Sequence, residues 1–240
     1  MYPKKKKRNR GGRSMAFIVA IDGPAGTGKG TITKLLAEKL NLITVDTGAT
    51  YRCVTLAMLK QHISLEEADK ITKLLENIQI EFKKIDGKDR VFLNGKDVTM
   101  EIRSKEVTDF VSQVSSLICV RLKMVELQRK MAQGKDVIME GRDIGTYVFP
   151  NANVKFYIDA DVEERAKRRV EQNKQKGIQT SYEEVLANLK FRDQNDKQKE
   201  MGALKVAEDA IVIDTTHMSI EEEMQMMLPI IQKRRSENCE

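Results

Sequence analysis

Five short apolar runs alternate with longer amphipathic stretches along this chain. The runs are residues 17–21, 42–45, 137–139, 154–158 and 211–213, and an acidic residue follows each of them. Short runs without polar alternation are typical of strands buried on both faces of a parallel sheet. We therefore predict an α/β fold with a five-stranded parallel sheet flanked by helices. Ligands bind outside the carboxyl ends of the strands in such sheets.

The stretches between these runs have helical spacing. Ile32, Leu35, Leu36 and Leu40 fall on one face of a helix, and further helices are predicted over 162–176 and 219–235. In the last stretch, Met224 and Met227 are expected to pack in the core together with Ile220 and Ile231. Residues 78–99 break the rhythm with alternating runs separated by Asp-Gly and Asn-Gly pairs. This pattern predicts a small antiparallel meander inserted into the parallel fold.

The composition is that of a globular protein and excludes several classes. The chain has 240 residues, of which 40% are hydrophobic and 32% charged. It contains no apolar run long enough for a membrane helix. Three cysteines and two distant histidines argue against a Cys/His metal site and against a Ser-His-Asp triad, and they fit free thiols in a cytoplasmic protein.

The formal net charge of +6 is unevenly distributed. Seven of the 42 basic residues, and none of the 36 acidic ones, lie in residues 1–14, so the rest of the chain carries 35 against 36. We expect 1–14 to be a disordered basic tail, 15–235 to be the folded domain and 236–240 to be a C-terminal tail. No nucleic-acid-binding module accompanies the tail, so nucleic acid is not expected as a partner.

A glycine-rich loop follows the first predicted strand and precedes a helix. Its residues match G-x-x-x-x-G-K and are Gly23, Pro24, Ala25, Gly26, Thr27, Gly28, Lys29, Gly30 and Thr31. Such a loop turns backbone amides towards phosphate oxygens, and its lysine reaches the outer phosphates. The residue after Lys29 is glycine rather than the usual Ser/Thr. The ending GKGT is typical of nucleoside-monophosphate kinases and leaves the Mg²⁺ ligands unassigned. No guanine-reading Asn-Lys-x-Asp is present.

Arginines follow two other strand ends, where they could hold a second phosphate. One segment runs from Asp46 to Arg52, and another contains Arg142 and Asp143. A third mixed-charge cluster spans residues 192–199. Planar guanidinium groups suit bidentate phosphate binding. A further basic cluster on the helix over 162–176 is either a solvated face or a phosphate contact; it comprises Arg165, Arg168 and Arg169.

These segments together give the chain a specific resemblance. It resembles the bacterial cytidylate kinases in IDGPAGTGKGT, DTGATYR, the insert ending NGKDVTMEIRS, SQVSSLICVR, GRDIGTYVFPNANVKFYIDA, ERAKRR, and RDQNDK followed by ALKVAEDAIVIDT. The matches run from about Phe17 to about Lys233. The segment GRDIGT-VFP and the insert are particular to this family rather than to P-loop proteins at large.

The resemblance implies a fold and an activity. The fold is a P-loop core with a nucleoside-monophosphate-binding region at about 47–121, an insert at about 78–99 and a helical lid at about 163–200. The activity is transfer of the γ-phosphoryl group of ATP to CMP or dCMP with Mg²⁺. The family implies a monomer.

The resemblance also implies roles for single residues. Gly23 through Thr31 would cradle ATP, and Lys29, Arg142 and Arg192 would neutralise charge on the transferred group. The acceptor would be bound by Thr47, Arg52, Ser112, Arg121, Arg142, Asp143, Arg192, Asp196 and Lys199. Among these, Ser112, Arg121 and Asp143 match the residues that read cytosine.

This chain departs from the family pattern R-D-x-x-D-x-x-R at one position. Lys199 stands where the family has arginine, which keeps the charge and loses the planar fork. The usual proline before Leu204 is also missing.

Two other functions stay open at this point. One is a P-loop kinase for another small molecule or nucleotide, such as UMP or AMP. The other is an NTP-dependent nucleic-acid-binding protein.

Overall fold

This computed structural model describes residues 16–175 and 177–239, and strands and helices are distributed along both ranges. The strands are β1 (Ile18–Asp22), β2 (Ile43–Asp46), β3 (Ile80–Ile85), β4 (Lys88–Leu93), β5 (Lys96–Asp97), β6 (Val137–Gly141), β7 (Val154–Asp159) and β8 (Ile211–Asp214). The helices are α1 (Lys29–Leu40), α2 (Thr47–Lys60), α3 (Ala68–Asn77), α4 (Lys105–Val114), α5 (Ile118–Ala132), α6 (Val162–Gln175), α7 (Tyr182–Gln198) and α8 (Ile220–Cys239).

The main sheet has the order β2-β6-β1-β7-β8, and all of its neighbours are parallel. This confirms the five-stranded parallel sheet predicted from the apolar runs. The strands extend to the acidic residues that follow those runs, because these residues still pair: Asp46 is opposite Glu140, and Asp159 is opposite Asp214. The carboxylates therefore share one edge of the sheet.

Strands β3, β4 and β5 form a separate antiparallel sheet in that order. Its two turns lie at Asp86-Gly87 and Asn94-Gly95, where all four residues have positive φ. Asn, Asp and Gly tolerate this left-handed conformation, which is why those pairs mark hairpins. The predicted meander is confirmed. It shares a hydrophobic core with α2 to α5, to which it contributes Ile80, Val91 and Leu93.

Helices α6 and α7 pack against each other beside the glycine-rich loop. Ala166, Val185 and Leu189 are buried between them, and Ala25 of the loop belongs to the same cluster. Helix α7 begins at Tyr182 because Ser181 and Glu184 form a reciprocal capping box. The helix pair is therefore in direct contact with the loop.

The C-terminal helix is longer than predicted. Residues 236–239 continue α8, so the expected tail at 236–240 was wrong for these four positions. The end of α8 is fixed to the amino edge of the sheet, because Arg235 donates to the Leu40 carbonyl at 2.7 Å and to Asp136 at 2.8 Å. Met227 and Ile231 are fully buried, which confirms that this helix's apolar stripe is core.

The predicted basic tail at 1–14 lies outside the described residues. Over residues 16–175 and 177–239, no helix is both long enough and apolar enough to cross a membrane.

Candidate active site

A cleft of about 710 Å³ opens at the carboxyl edge of the main sheet. All of the predicted acceptor-site residues line it, namely Thr47, Arg52, Ser112, Arg121, Arg142, Asp143, Arg192, Asp196 and Lys199. From the loop, Ala25, Gly26, Gly28, Lys29, Gly30 and Thr31 line the same cleft. Gly23, Pro24 and Thr27 are buried behind them. Residues from six separate segments thus meet in one space.

The glycine-rich loop has a backbone that side chains would obstruct. Gly23 has φ 149°, and a Cβ there would overlap the carbonyl oxygen of Ile158 in β7. Gly28 precedes α1 with φ 94°, and no side chain caps this helix. The first amides of α1 are therefore left for a ligand, and the helix dipole favours an anion at this position.

The Lys29 ammonium lies inside this loop. It donates to the Pro24 carbonyl at 2.5 Å and to the Thr27 hydroxyl at 3.2 Å. Burial, followed by the nearby charge of Arg142, lowers the pKa of Lys29 to about 7. Burial, followed by Asp46, raises the pKa of Glu140 to about 7. Burial thus disfavours the charged forms of both Lys29 and Glu140. A bound anion would favour the charged form of Lys29.

Arginines crowd the opposite side of the cleft. Burial, together with the charges of neighbouring arginines, lowers the pKa of Arg52 and of Arg192 to about 10. Arg142 is the first of those neighbours for Arg192. Like charges this close repel one another, and an anion between them relieves the repulsion. The cluster therefore suits a phosphate group rather than a neutral ligand.

Asp196 organises part of this cluster. Its carboxylate accepts from Arg142 Nε at 2.8 Å and from Lys199 Nζ at 2.7 Å. Burial raises the pKa of Asp196, but the charges of Arg142 and Lys199 outweigh it and hold the pKa well below its usual range. Lys199 also donates to the Ser115 hydroxyl at 3.0 Å. The lysine in place of the family arginine thus joins the end of α7 to the junction of α4 and α5.

Arg121 and Asp143 form an ion pair that is almost completely buried. The guanidinium lies over the ring of Tyr51, 5.6 Å from its centroid. Burial raises the pKa of Asp143 from its ordinary value. Tyr51 also lines the cleft, which the sequence alone did not predict.

Ser112 is held by a residue that sequence reasoning missed. Asn195 on α7 donates its amide to the Ser112 hydroxyl oxygen at 2.7 Å and to the Ser112 carbonyl at 3.0 Å. Because that oxygen accepts from Asn195, its own proton remains available to a ligand. The position of Asn195, one turn after Arg192, was the signal that could have found it.

The basic cluster on α6 divides into two roles. Arg165 donates to the Ala25 carbonyl at 2.9 Å and to Asp193 at 2.7 Å, so it braces the loop. Arg168 donates to the carbonyls of Thr215 and Thr216. Only Arg169 of these three lines the cleft. Asp46 and Glu140, which the sequence placed at strand ends without assigning them a role, also line the cleft, as does Arg103, to which no role was assigned.

The donors present fit a magnesium ion that is also bound by phosphates. Over the described residues, no group of three or more His, Cys, Asp or Glu side chains could hold a metal alone. Asp46 and Glu140, paired across β2 and β6, place carboxylate oxygens in the cleft, and Thr31 lines it as well. Mg²⁺ is usually held by one or two carboxylates together with substrate phosphates.

Comparison with known proteins gives a consistent result. The sequence model of the family described as Cytidylate kinase matches residues 19–233. Three curated relatives carry the name Cytidylate kinase. That from Caldicellulosiruptor bescii is 51% identical over 90% of this chain and 95% of its own length. That from Halalkalibacterium halodurans is 45% identical over 90% and 97%, and that from Lactobacillus gasseri is 46% identical over 93% and 97%. The chain therefore belongs to the cytidylate kinase family.

Proposed function

We propose that this protein transfers the γ-phosphoryl group of ATP to CMP and dCMP. The observation that carries the proposal is that one cleft joins three features. These are a phosphate loop with a buried lysine, a crowded arginine cluster and a buried Arg121–Asp143 pair beside Ser112. The first suits a nucleoside triphosphate, the second suits the phosphates of donor and acceptor, and the third suits a polar base edge.

Phosphoryl transfer needs little beyond alignment and charge neutralisation. We assign the triphosphate to residues 23–31, with Lys29 at its outer phosphates. Arg52 would hold the acceptor phosphate, and Arg142 and Arg192 would neutralise charge on the moving group. A bound Mg²⁺ near Asp46 and Glu140 would supply further positive charge. No general base is required in this scheme, because positioning supplies most of the rate.

The base site suits cytosine better than uracil. A carboxylate accepts from the exocyclic amine of cytosine, whereas it repels the carbonyl oxygen that uracil carries at that position. Arg121 and Ser112 supply donors to the remaining acceptors. A site that pairs polar groups in this way can reject an unmatched analogue by up to about 10⁴–10⁵.

Helices α6 and α7 would close over the substrates as a lid, because they carry Arg169, Arg192 and Asp196 into the cleft. Closure would exclude water during transfer. We expect a monomer in a reducing cytoplasm, where Cys53 and Cys119 stay as the free thiols seen here.

A coupled assay of ADP release tests the proposal. ATP is supplied with CMP, dCMP, UMP, AMP or dTMP as acceptor, and kcat/KM is compared. We expect CMP and dCMP to be the best acceptors. If UMP or AMP had the higher kcat/KM, the protein would be a kinase of another nucleotide, and this proposal would be wrong.

A further inference from the structure

A short segment after α7 passes directly over the Arg121–Asp143 pair. It starts at Lys199, whose ammonium is fixed by Ser115 and Asp196. It ends at Leu204, whose side chain is buried and whose amide donates to the Asp196 carbonyl at 2.8 Å. Both ends of this 199–204 segment are therefore anchored to α7 or its neighbours, and its path between them is constrained.

Gly202 lies at the point of closest approach. It has φ 64°, in the left-handed region that favours glycine. A Cβ at this position would overlap both the guanidinium of Arg121 and the carboxylate of Asp143. Gly134 offers a contrast, because it has a similar φ of 70° and no atom within 4 Å of its would-be Cβ. Position 202 thus has a steric requirement beyond its backbone conformation.

We propose that Gly202 is a positioning residue that sets the acceptor specificity of the cleft. By lacking a side chain, it lets the 199–204 segment lie against the Arg121–Asp143 pair, fixes the pair in one geometry and shields it from water. The inference rests on the proposed function, since it concerns the base site of the same acceptor.

The physical consequence is confined to acceptor binding. Arg121 and Asp143 are 2% and 4% exposed, and hydrogen bonds to such a dry pair are stronger and more selective than hydrogen bonds in water. Any side chain at 202 would displace the pair or lift the segment from it. The three atoms nearest to this Cβ all belong to Arg121 and Asp143 and none to Lys29 or Arg142. Displacement of the Arg121–Asp143 pair should therefore raise KM for the acceptor and leave kcat nearly unchanged.

The test compares Gly202→Ala with the control Gly134→Ala, in which alanine bears the same backbone strain in open space. For Gly202→Ala we expect KM for CMP to rise at least about tenfold, with kcat and KM for ATP within about threefold. The ratio of kcat/KM for CMP to that for UMP should also fall in Gly202→Ala. Gly134→Ala should leave all three constants near those of the unsubstituted enzyme. Equal acceptor KM values in the two variants would overturn the proposal.

A double substitution tests whether Gly202 acts through Arg121. In an Arg121→Ala background, the guanidinium that the new methyl would meet is gone and only the overlap with Asp143 remains, so Gly202→Ala should raise KM by a smaller factor than it does in the unsubstituted enzyme. If the two effects were instead additive, Gly202 would not act through Arg121, which would contradict the proposal. Should Gly202→Ala alone fail to fold, the double variant should recover soluble protein, and failure of both would also contradict the proposal.

A readout without turnover separates this inference from the proposed function. The Arg121 Nε is buried and has no hydrogen-bond partner. Its ¹⁵N–¹H resonance, assigned by its loss in Arg121→Ala, should shift in Gly202→Ala and stay unchanged in Gly134→Ala. An unchanged resonance in Gly202→Ala would overturn the positioning role. A failure to phosphorylate CMP by the unsubstituted enzyme would overturn the proposed function and leave the resonance result standing.

Discussion

Several buried basic residues of the cleft lie close to one another, where their like charges repel unless an anion is bound. Arg142 donates to Asp196 and has Arg192 and Lys29 as neighbours of like sign. Stability alone does not explain such an arrangement, since buried like charges repel. The arrangement is explained if a phosphate group occupies the space between them. Under the proposed function, Arg142 and Arg192 would then contribute to phosphoryl transfer rather than to the stability of the fold.

Replacing Arg142 by alanine tests this view. We expect kcat to fall by at least about tenfold, since one well-placed arginine can contribute about 10³–10⁵ in phosphoryl transfer. The fold should persist, because Asp196 keeps its hydrogen bond from Lys199. Steady-state kinetics and thermal unfolding measure the two effects. Arg234→Ala, at an exposed arginine of α8, is the control and should keep full activity. A near-normal kcat in Arg142→Ala would remove Arg142 from the transfer site.

Glu223, which lies outside the cleft, makes the stability of the fold depend on pH. Glu223 on α8 is 2% exposed, and one of its carboxylate oxygens has no hydrogen-bond partner. Burial raises its pKa from 4.5 to about 7, although the charge of Arg168 opposes the shift. Its protonated form is favoured in the folded state. Its contribution to stability is therefore present below about pH 4.5 and is lost as the pH rises through about 7.

Glu223→Gln removes this titration while keeping the shape of the side chain. At about pH 8 we expect a gain on the order of 1 kcal/mol, or about 2–4 °C in Tm for a domain of this size. At about pH 5 the gain should largely vanish, since Glu223 is then protonated in the folded protein. Thermal unfolding at both values measures the difference. An equal change in Tm at the two pH values would contradict the assignment.

Among the elements, α7 is the one that connects the separate parts of the site. It carries Arg192 and Asp196 into the cleft, and Asn195 ties it to Ser112 on α4. The helix thereby connects the arginine cluster to the side of the cleft that holds Ser112. Loss of a single contact between α4 and α7 should then weaken acceptor binding without changing the chemistry.

Asn195→Ala removes that contact. We expect KM for CMP to rise severalfold, because Ser112 loses the donor that orients its hydroxyl, while KM for ATP stays constant. A lost hydrogen bond of this kind is worth about 0.5–1.5 kcal/mol. Gln194→Ala, at an exposed neighbour on the same helix, is the matched control. If both variants had the same KM for CMP, the contact between α4 and α7 would not orient the base site.

The sequence predicted elements well where a local pattern determines them. The five parallel strands follow from short, largely apolar runs, and the meander follows from two turns whose residues tolerate positive φ. The end of α8 was missed, because its last turn is held by Arg235 contacts to Leu40 and Asp136, which are distant in sequence. Contacts of that kind leave no periodic signal.

The residues of the site likewise divide into those that a local sequence motif identifies and those that only tertiary packing brings together. The phosphate loop has a contiguous motif and could be found locally, and the acceptor residues were placed through the family resemblance. Arg103 and Arg169 belong to matched segments, and Glu140 follows a predicted strand, but the sequence did not assign any of the three to the cleft that they line. Asn195 was missed because its partner lies on another helix. Which buried groups meet is decided by the packing of α4, α6 and α7, and no local pattern encodes it.

At the scale of the whole molecule, net charge is a poor guide to the chemistry. The overall +6 arises from residues 1–14, whereas the remaining 226 residues carry 35 basic and 36 acidic side chains. Within that near-neutral body, positive charge is concentrated in the cleft that would receive the phosphates. Local fields of this kind attract anionic substrates independently of the overall charge.

Deleting residues 1–14 separates the two sources of charge. We expect kcat/KM for CMP to stay within about twofold of the full chain at both about 50 mM and about 200 mM salt, because attraction of the nucleotides depends on the cleft. The full chain and the shortened chain are assayed side by side, and RNA binding is measured on both by gel shift. A fall in kcat/KM at low salt that disappears at high salt would show that the tail attracts substrate. Loss of RNA binding with unchanged kinase activity would instead assign residues 1–14 a function separate from that of the cleft.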